Sequence, residues 1–258
     1  MGAIMECRDF SFFYGQRQIL DRINFRLERG EWLSIIGANG SGKSTLLKNM
    51  LRPAEGRSTG EMRVADRPIS EYSQKDLARL LAYVPQAGDR APPFTIREFL
   101  KLSRYPFGLH SSAKGSGDCE SVERALRLTN TGHLAERRMD QLSGGQRQRA
   151  YLAAALAQDA DALLLDEPAS FLDPKQVHAM NELLKSLHAK GNLTIITVTH
   201  DLAQPLDAGG HVLVLRESRQ VHFGPAGDLV GHGILEQAFG HDFCYLTHPK
   251  TGKTLVVA

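Results

Sequence analysis

What the chain has little of narrows the possibilities first. Only three cysteines occur in 258 residues, Cys7, Cys119 and Cys244, far apart and with no CxxC pair, which argues against a disulfide framework or a redox pair. Their plain reading is buried or idle thiols in a reducing cytosol. No apolar run approaches the roughly 20 residues that span a bilayer. If the protein works at a membrane, another chain must cross it. The start, Met1-Gly2-Ala3-Ile4-Met5-Glu6, lacks a basic segment leading into an apolar stretch and a cleavage site, so no secretory signal is expected. Neither sign of charge dominates: 31 Lys and Arg against 29 Asp and Glu leave a net charge of +2, with the two signs intermixed. That gives no support to a polybasic nucleic-acid surface or an acidic tail. No repeat or low-complexity tract stands out.

Against this background two segments carry chemistry. Leu142-Ser143-Gly144-Gly145-Gln146 sets a serine and two glycines where a helix begins, a cluster of backbone N–H groups read here as serving only an anion. Some twenty residues on, Leu163-Leu164-Leu165 runs into Asp166-Glu167-Pro168, which puts a metal partner and a candidate base at the end of a buried strand. An Asp-Glu pair in such a place is often only a solvated turn. A third segment decides between the readings. Gly37-Ala38-Asn39-Gly40-Ser41-Gly42-Lys43-Ser44-Thr45 fits the P-loop pattern and lies between an apolar strand, Leu33 to Ile36, and a helix after Lys43. Its glycines let the backbone wrap phosphates, Lys43 neutralises the β and γ oxygens, and Ser44 offers a hydroxyl to Mg2+. Magnesium follows from hard oxygen partners beside phosphate. Asp166 then holds the metal, and Glu167 orients or deprotonates the attacking water.

The length suits one large domain or a core with an inserted lobe, and the pattern favours the second. Residues 3 to 36 read as β-rich, with aromatic Phe10 to Tyr14, alternating Ile23, Phe25 and Leu27, and the apolar run Trp32 to Ile36. Arg63-Val64-Ala65 looks like a strand entering a turn, and Leu81 to Val84 like a strand stopped by Pro85. From Ala87 to about Gln141 the spacing predicts helices, including Thr95 to Ser103 and Glu120 to Leu128, with loops at Pro92-Pro93 and His110 to Asp118. A helix over Gly145 to Gln158, a strand over Ala162 to Leu165, a helix over Pro174 to Lys190 and a strand over Leu193 to Val198 then alternate as βαβ units. Phe243 to His248 and Thr254 to Val257 read as a hairpin around the Pro249 to Lys253 turn. The fold class is α/β: a P-loop NTPase core with a parallel sheet, an N-terminal antiparallel β-subdomain and an inserted α-helical subdomain. Its divisions are 1–86 and 142–240 for the core with the β-subdomain, 87–141 for the helical part and 241–258 for the hairpin.

Further residues gain meaning from their positions. His200, just past the strand that ends in Thr197-Val198-Thr199, lies where α/β sheets bind ligands and can hydrogen-bond the γ-phosphate or the attacking water. Gln86, after Val84-Pro85, is suited to sense Mg2+ and the water. Tyr14 can stack on adenine, as can Phe12 or Phe13 unless they belong to the core. Asp173, before Pro174, can cap the helix that follows.

These pieces in this order resemble the ATP-binding subunit of an ABC transporter, and the resemblance runs over nearly the whole chain. It likens Gly37 to Thr45 to Walker A, Gln86 to the Q-loop and Leu142 to Gln146 to the signature. It likens Leu163 to Glu167 to Walker B, Ser170 to Asp173 to the D-loop, His200 to the switch histidine and Tyr14 to the A-loop aromatic. Leu81-Ala82-Tyr83-Val84-Pro85-Gln86, Phe94 to Leu100 and Arg104-Tyr105-Pro106, with Phe171 and the terminal hairpin, resemble the ATPases of importers for iron siderophores, haem and cobalamin. The resemblance implies catalytic roles for Glu167, His200, Lys43 and Gln86 and Mg2+ contacts from Ser44, Gln86 and Asp166. It implies ATP contacts from Tyr14, Gly37 to Thr45, Gln86, Ser143, Gly144, Gly145, Gln146 and Asp173. It further implies a head-to-tail homodimer in which Ser143 and Gly145 of one copy reach the γ-phosphate held by the other. Two separate transmembrane permease subunits, an extracytoplasmic substrate-binding protein and a peripheral place on the cytoplasmic face of the inner membrane complete the expectation, with no nucleic acid. Ala169 stands where a threonine is usual, and Ser218-Arg219 replaces the usual glycine of a late turn. The stretch Phe107 to Asp118 is atypical. An importer of molybdate or zinc, an exporter, a soluble ABC ATPase of translation or repair and a non-hydrolysing regulatory module are the alternatives. A single P-loop, an insert of ordinary size and intact Lys43, Asp166, Glu167 and His200 weigh against the last two.

Overall fold

Alternating and aromatic residues near the start of the chain form the long strands β1 (Ala3–Tyr14) and β2 (Arg17–Glu28). They pair antiparallel across a tight turn in which Gly15 takes a φ of 57°. The apolar run becomes β3 (Trp32–Gly37), buried along its whole length, and leads into α1 (Lys43–Leu51). Then follow β4 (Arg57–Val64), β5 (Arg67–Pro68), α2 (Gln74–Leu80), β6 (Leu81–Val84), α3 (Ile96–Ser103), α4 (Gly115–Leu128), α5 (Gly144–Gln158), β7 (Ala162–Asp166) and α6 (Pro174–Gly191). The chain ends with β8 (Thr194–Val198), α7 (Ala203–Ala208), β9 (His211–Arg216), β10 (Arg219–Pro225), α8 (Ile234–Phe239), β11 (Cys244–Thr247) and β12 (Thr254–Val257). These elements come from a computed structural model that describes residues 2–52, 54–86, 91–107, 115–170, 172–191, 193–247 and 254–257. Phe171, most of the Phe107 to Asp118 stretch and the Pro249 to Lys253 turn lie outside the described residues. Among the described residues, no helix is long and apolar enough to cross a membrane.

Packing divides the chain into two units, Met1–Glu71 with His188–Ala258, and Tyr72–Leu187. In the first, the strands lie in the order β5-β4-β1-β2-β10-β9-β3-β8. Its first four strands form the antiparallel layer, whereas β3 runs parallel to both β8 and β9, as a nucleotide-binding core requires. One face is sealed by Ile36, Val212, Val214, Leu229, Leu235 and Ala238, against which Tyr245 and Val256 of the β11–β12 hairpin pack. In the second unit β6 and β7 pair in parallel, Leu81 beside Ala162 through to Val84 beside Leu165. Around them stand α3, opened by a capping box between Thr95 and Glu98, and α4 and the alanine-rich α5.

The strands and helices read from the sequence agree with these in the main, and the differences have physical reasons. The segment Gly115 to Asp118, expected as loop, is the first turn of α4. A first turn lacks intrahelical partners for its N–H groups and so tolerates weak helix formers. The polar run Arg57 to Glu61, unassigned from sequence, is strand because β1 pairs it, Ser11 beside Thr59 and Phe12 beside Ser58. Helix α2 went unread although Ser73 and Asp76 advertise it: Ser73 Oγ accepts from the Asp76 N–H at 3.1 Å. The elements between Ala203 and Phe239 were likewise unassigned. At the β9–β10 turn Glu217 and Ser218 take φ values of 47° and 73°, so the serine at the usual glycine position adopts the backbone a glycine would.

Candidate active site

In the first unit the phosphate loop is built by close approach. Gly37 has a φ of 149°, and a Cβ there would lie 2.1 Å from the Leu215 carbonyl oxygen. Gly42, at φ 103° in the N-cap of α1, would drive a Cβ to 2.7 Å from the Ile19 carbonyl oxygen. Only glycine passes at both places. The loop thus opens at the end of β3 and closes on a helix N-terminus, whose dipole favours anions. Lys43, buried, curls back so that its Nζ donates to the carbonyls of Gly37 at 2.8 Å and Ala38 at 3.1 Å. Ser41 Oγ is buried with no hydrogen-bond partner among the described residues, a polar atom that a phosphate oxygen would satisfy. Lys43, Ser44 and Thr45 form the first turn of the helix.

His200 comes just after β8, exposed, at the same end of the sheet. The register of β3 and β8 puts Ile35 beside Val198, and the Thr199 N–H donates to the Ile35 carbonyl at 3.1 Å. Thr199 Oγ1 and Asp201 Oδ1 then accept from the N–H groups of Asp201 and Ala203, which shapes the chain around the histidine. Of the three aromatic candidates, Phe12 is core at 1 % exposure and Phe13 lies under the Arg57 guanidinium at 4.2 Å. Tyr14 is 44 % exposed and meets Phe12 edge to face at 4.9 Å, leaving it the aromatic face turned to solvent.

In the second unit the acidic pair ends β7. Asp166 is buried, and Tyr83 from the neighbouring β6 directs its hydroxyl at Oδ2 from 3.5 Å. Burial, reinforced by the Asp166 charge, pushes Tyr83 up to about 12, so it stays a neutral donor. Glu167 occupies the left-handed region at φ 47°, uncommon for a residue with a side chain and a strain that concentrates at functional sites. Its Oε2 accepts two hydrogen bonds, from Ser170 Oγ at 2.8 Å and Gln86 Nε2 at 3.1 Å. Among the described residues no group of three His, Cys, Asp or Glu side chains gathers to hold a metal. One buried carboxylate, that of Asp166, suits Mg2+, which keeps water and phosphate in its shell.

Ser143 is the N-cap of α5. Its Oγ accepts from the Gln146 N–H at 3.3 Å while Gln146 Oε1 accepts from the Ser143 N–H at 3.1 Å. The expectation that this cluster serves only an anion is therefore too narrow, since the serine and glutamine also close their own helix. Gly144 and Gly145 occupy its first turn, and a Cβ on Gly145 would come within 2.5 Å of Gln176 Oε1. Asp173 caps α6, accepting from the Gln176 N–H at 2.8 Å, as its place before Pro174 suggested.

Sequence reasoning gave no side-chain contact to Tyr83, to Ser170, which it placed only at the start of the D-loop segment, or to Gln148, whose Nε2 donates to the Pro85 carbonyl at 3.2 Å. Ser170 had a signal: a serine three residues after a carboxylate across a turn closed by the Ser170 N–H on the Glu167 carbonyl. Tyr83 and Gln148 had none short of the fold.

The family model described as ABC transporter matches residues 20–170. The ferric enterobactin transport ATP-binding protein FepC of Escherichia coli is 33% identical over 95% of this chain and 90% of its own length. The hemin import ATP-binding protein HmuV of Streptomyces coelicolor is 33% identical over 94% and 85%. Among solved structures, an inward-facing ABC transporter assigned to the metal-chelate type superposes with a TM-score of 0.84 at 26% identity, covering 99% of this chain and 97% of that one.

Proposed function

Because this chain belongs to the ABC transporter family as an ATP-binding, ATP-hydrolysing subunit, we propose that it powers import of a metal chelate through separate membrane subunits. The substrate class is drawn from relatives that carry ferric enterobactin and hemin, so a siderophore-bound iron, haem, cobalamin or a similar chelate is the cargo. The chain works as a homodimer against two permease subunits at the cytoplasmic face of the membrane, served by an extracytoplasmic binding protein. Residues 87–141 form the lobe that meets the permease, 1–86 and 142–240 the catalytic core, and 241–258 a hairpin of unassigned role.

The observation that carries the catalytic reading is the doubly hydrogen-bonded carboxylate of Glu167 at the end of a buried strand. On this reading Tyr14 stacks on adenine, the Gly37 to Thr45 backbone wraps the phosphates, and Lys43 exchanges its two carbonyl partners for β and γ oxygens. Ser44, Asp166 and Gln86 would hold Mg2+, which would supply positive charge to the phosphates. Glu167 takes the proton of the attacking water, while Gln86 and Ser170 keep its reactive oxygen aimed. His200 hydrogen-bonds the γ-phosphate. Ser143, Gly144, Gly145 and Gln146 complete the site of the second copy, and Asp173 lies at the same seam. ATP binding closes the dimer, and hydrolysis with charge separation reopens it.

The test is to co-purify the chain with its membrane subunits in proteoliposomes and ask which ligand-loaded binding proteins stimulate phosphate release. Stimulation by an iron siderophore, haem or cobalamin carrier supports the reading. Stimulation by none of them overturns the substrate class.

A further inference from the structure

Gln148 stands five residues beyond Ser143 in α5, about 7.5 Å along the helix axis from the cap. It is buried to 1 % exposure in a helix whose other buried positions are apolar or aromatic. A carbonyl oxygen can only accept, so the 3.2 Å bond to Pro85 fixes which end of the amide faces it. The other end, Oε1, is buried with no hydrogen-bond partner among the described residues. Leucine or methionine would fill the same space without an orphaned acceptor, so packing alone does not select glutamine here. What the side chain holds is a specific peptide. The Pro85 oxygen and the Gln86 nitrogen are two corners of one planar unit, and the Pro85 ring fixes the φ that leads into it. The position of that oxygen therefore sets the plane from which Gln86 departs, and Gln86 ends on Glu167 at 3.1 Å.

We infer that Gln148 is a positioning residue for hydrolysis, tying the helix that begins at Ser143 to the Pro85-Gln86 peptide and so setting where Gln86 meets Glu167. The inference rests on the ATPase reading above, in which Glu167 handles the water. Gln148 touches neither nucleotide nor water and acts only through Gln86. A ligand that moves the start of α5 thereby moves a residue at the catalytic carboxylate, within one unit of the chain.

The test is a cycle of Gln148→Met, Gln86→Ala and the double variant in the complete importer complex, with kcat and KM for ATP measured for each. Gln148→Met lowers kcat about tenfold with KM and the thermal midpoint nearly unchanged, and changes kcat less than about twofold once Gln86 is alanine. Gln148→Asn, an amide one methylene too short to reach Pro85, gives the same pattern and covers the case in which the methionine variant does not assemble. An equal loss in both backgrounds assigns the effect to folding and overturns the inference, as does an unchanged kcat in both Gln148 variants. A wild-type complex that releases no phosphate overturns the ATPase reading, and this inference with it.

Discussion

Glutamine at position 167 separates the chemistry of the carboxylate from its structural partners. Ser170 Oγ and Gln86 Nε2 both donate to the same oxygen, Oε2, so a glutamine that places its carbonyl oxygen there keeps both hydrogen bonds. The backbone at φ 47° asks the same of either residue, and the side chains are nearly isosteric. Folding stability should therefore hardly move. What is lost is the basic oxygen, and removal of a positioned base costs about 10²- to 10⁴-fold in rate, or roughly 3–5 kcal/mol on the barrier. ATP affinity, which draws on the P-loop, stays within about threefold, and the ATP-bound closed dimer accumulates because the step that reopens it is blocked. Phosphate release by the variant reconstituted with its permease, nucleotide binding by fluorescence and dimer formation by size-exclusion chromatography measure the three parts. Steady-state hydrolysis at the wild-type rate would refute the assignment of Glu167.

Gly37→Ala brings a Cβ to 2.1 Å from the Leu215 carbonyl oxygen at a φ of 149°; we expect a loss of about 3 kcal/mol or more in stability and no ATP binding, read by thermal unfolding with and without nucleotide. Tyr14→Ala should weaken ATP binding by about 1–3 kcal/mol while leaving the thermal midpoint nearly unchanged, since the ring is 44 % exposed. Tyr83 holds its proton up to about 12 in the folded chain, above the ordinary tyrosine value near 10, so the folded state keeps that proton when the unfolded state sheds it. Its contribution to stability is full below pH 10 and declines as pH rises from about 10 to 12, and Tyr83→Phe should flatten that part of the denaturation midpoint against pH. Lys43→Ala and Ser143→Arg copies, each inactive alone, should recover roughly a quarter of wild-type hydrolysis when mixed before assembly, because half the dimers then carry one complete site; no recovery argues against a signature acting on the opposite copy.

How much could be read without coordinates depended on the range of the interactions. The phosphate loop was legible because its geometry is written locally: two glycines for a backbone no other residue can follow, with Lys43 and Ser44 at the helix start. The caps at Ser143 and Asp173 are equally local. The place of His200 after a buried strand, though not its role, was legible one step further out. The arrangement around Glu167 was not. Its strained backbone has no composition cue, and its partners come from three and 81 residues away. Tyr14 could not be separated from Phe12 and Phe13 until strand pairing showed which ring faces the core and which faces water. The start of α4 was misread because glycine and serine look like loop, although a helix's first turn asks little of its residues.

The long-range part still follows from one structural number, the register of β6 against β7. Val84 lies beside Leu165 in a parallel pair. Carrying that register two residues past this pair puts Pro85 beside Asp166 and Gln86 beside Glu167, which is where the observed hydrogen bond falls. A slip of one residue would set Gln86 against Asp166 or Pro168 and turn the alternating side chains of β6 to the wrong face. Tyr83 reaches Asp166 for a related reason: its register partner is Leu164, two residues before Asp166 and on the same face of β7. The Glu167 carboxylate is thus aimed by strand pairing, and on the proposed function the residues that fix that pairing, Leu81 to Val84 and Ala162 to Leu165, bear on hydrolysis although none of them carries a group that can act on ATP.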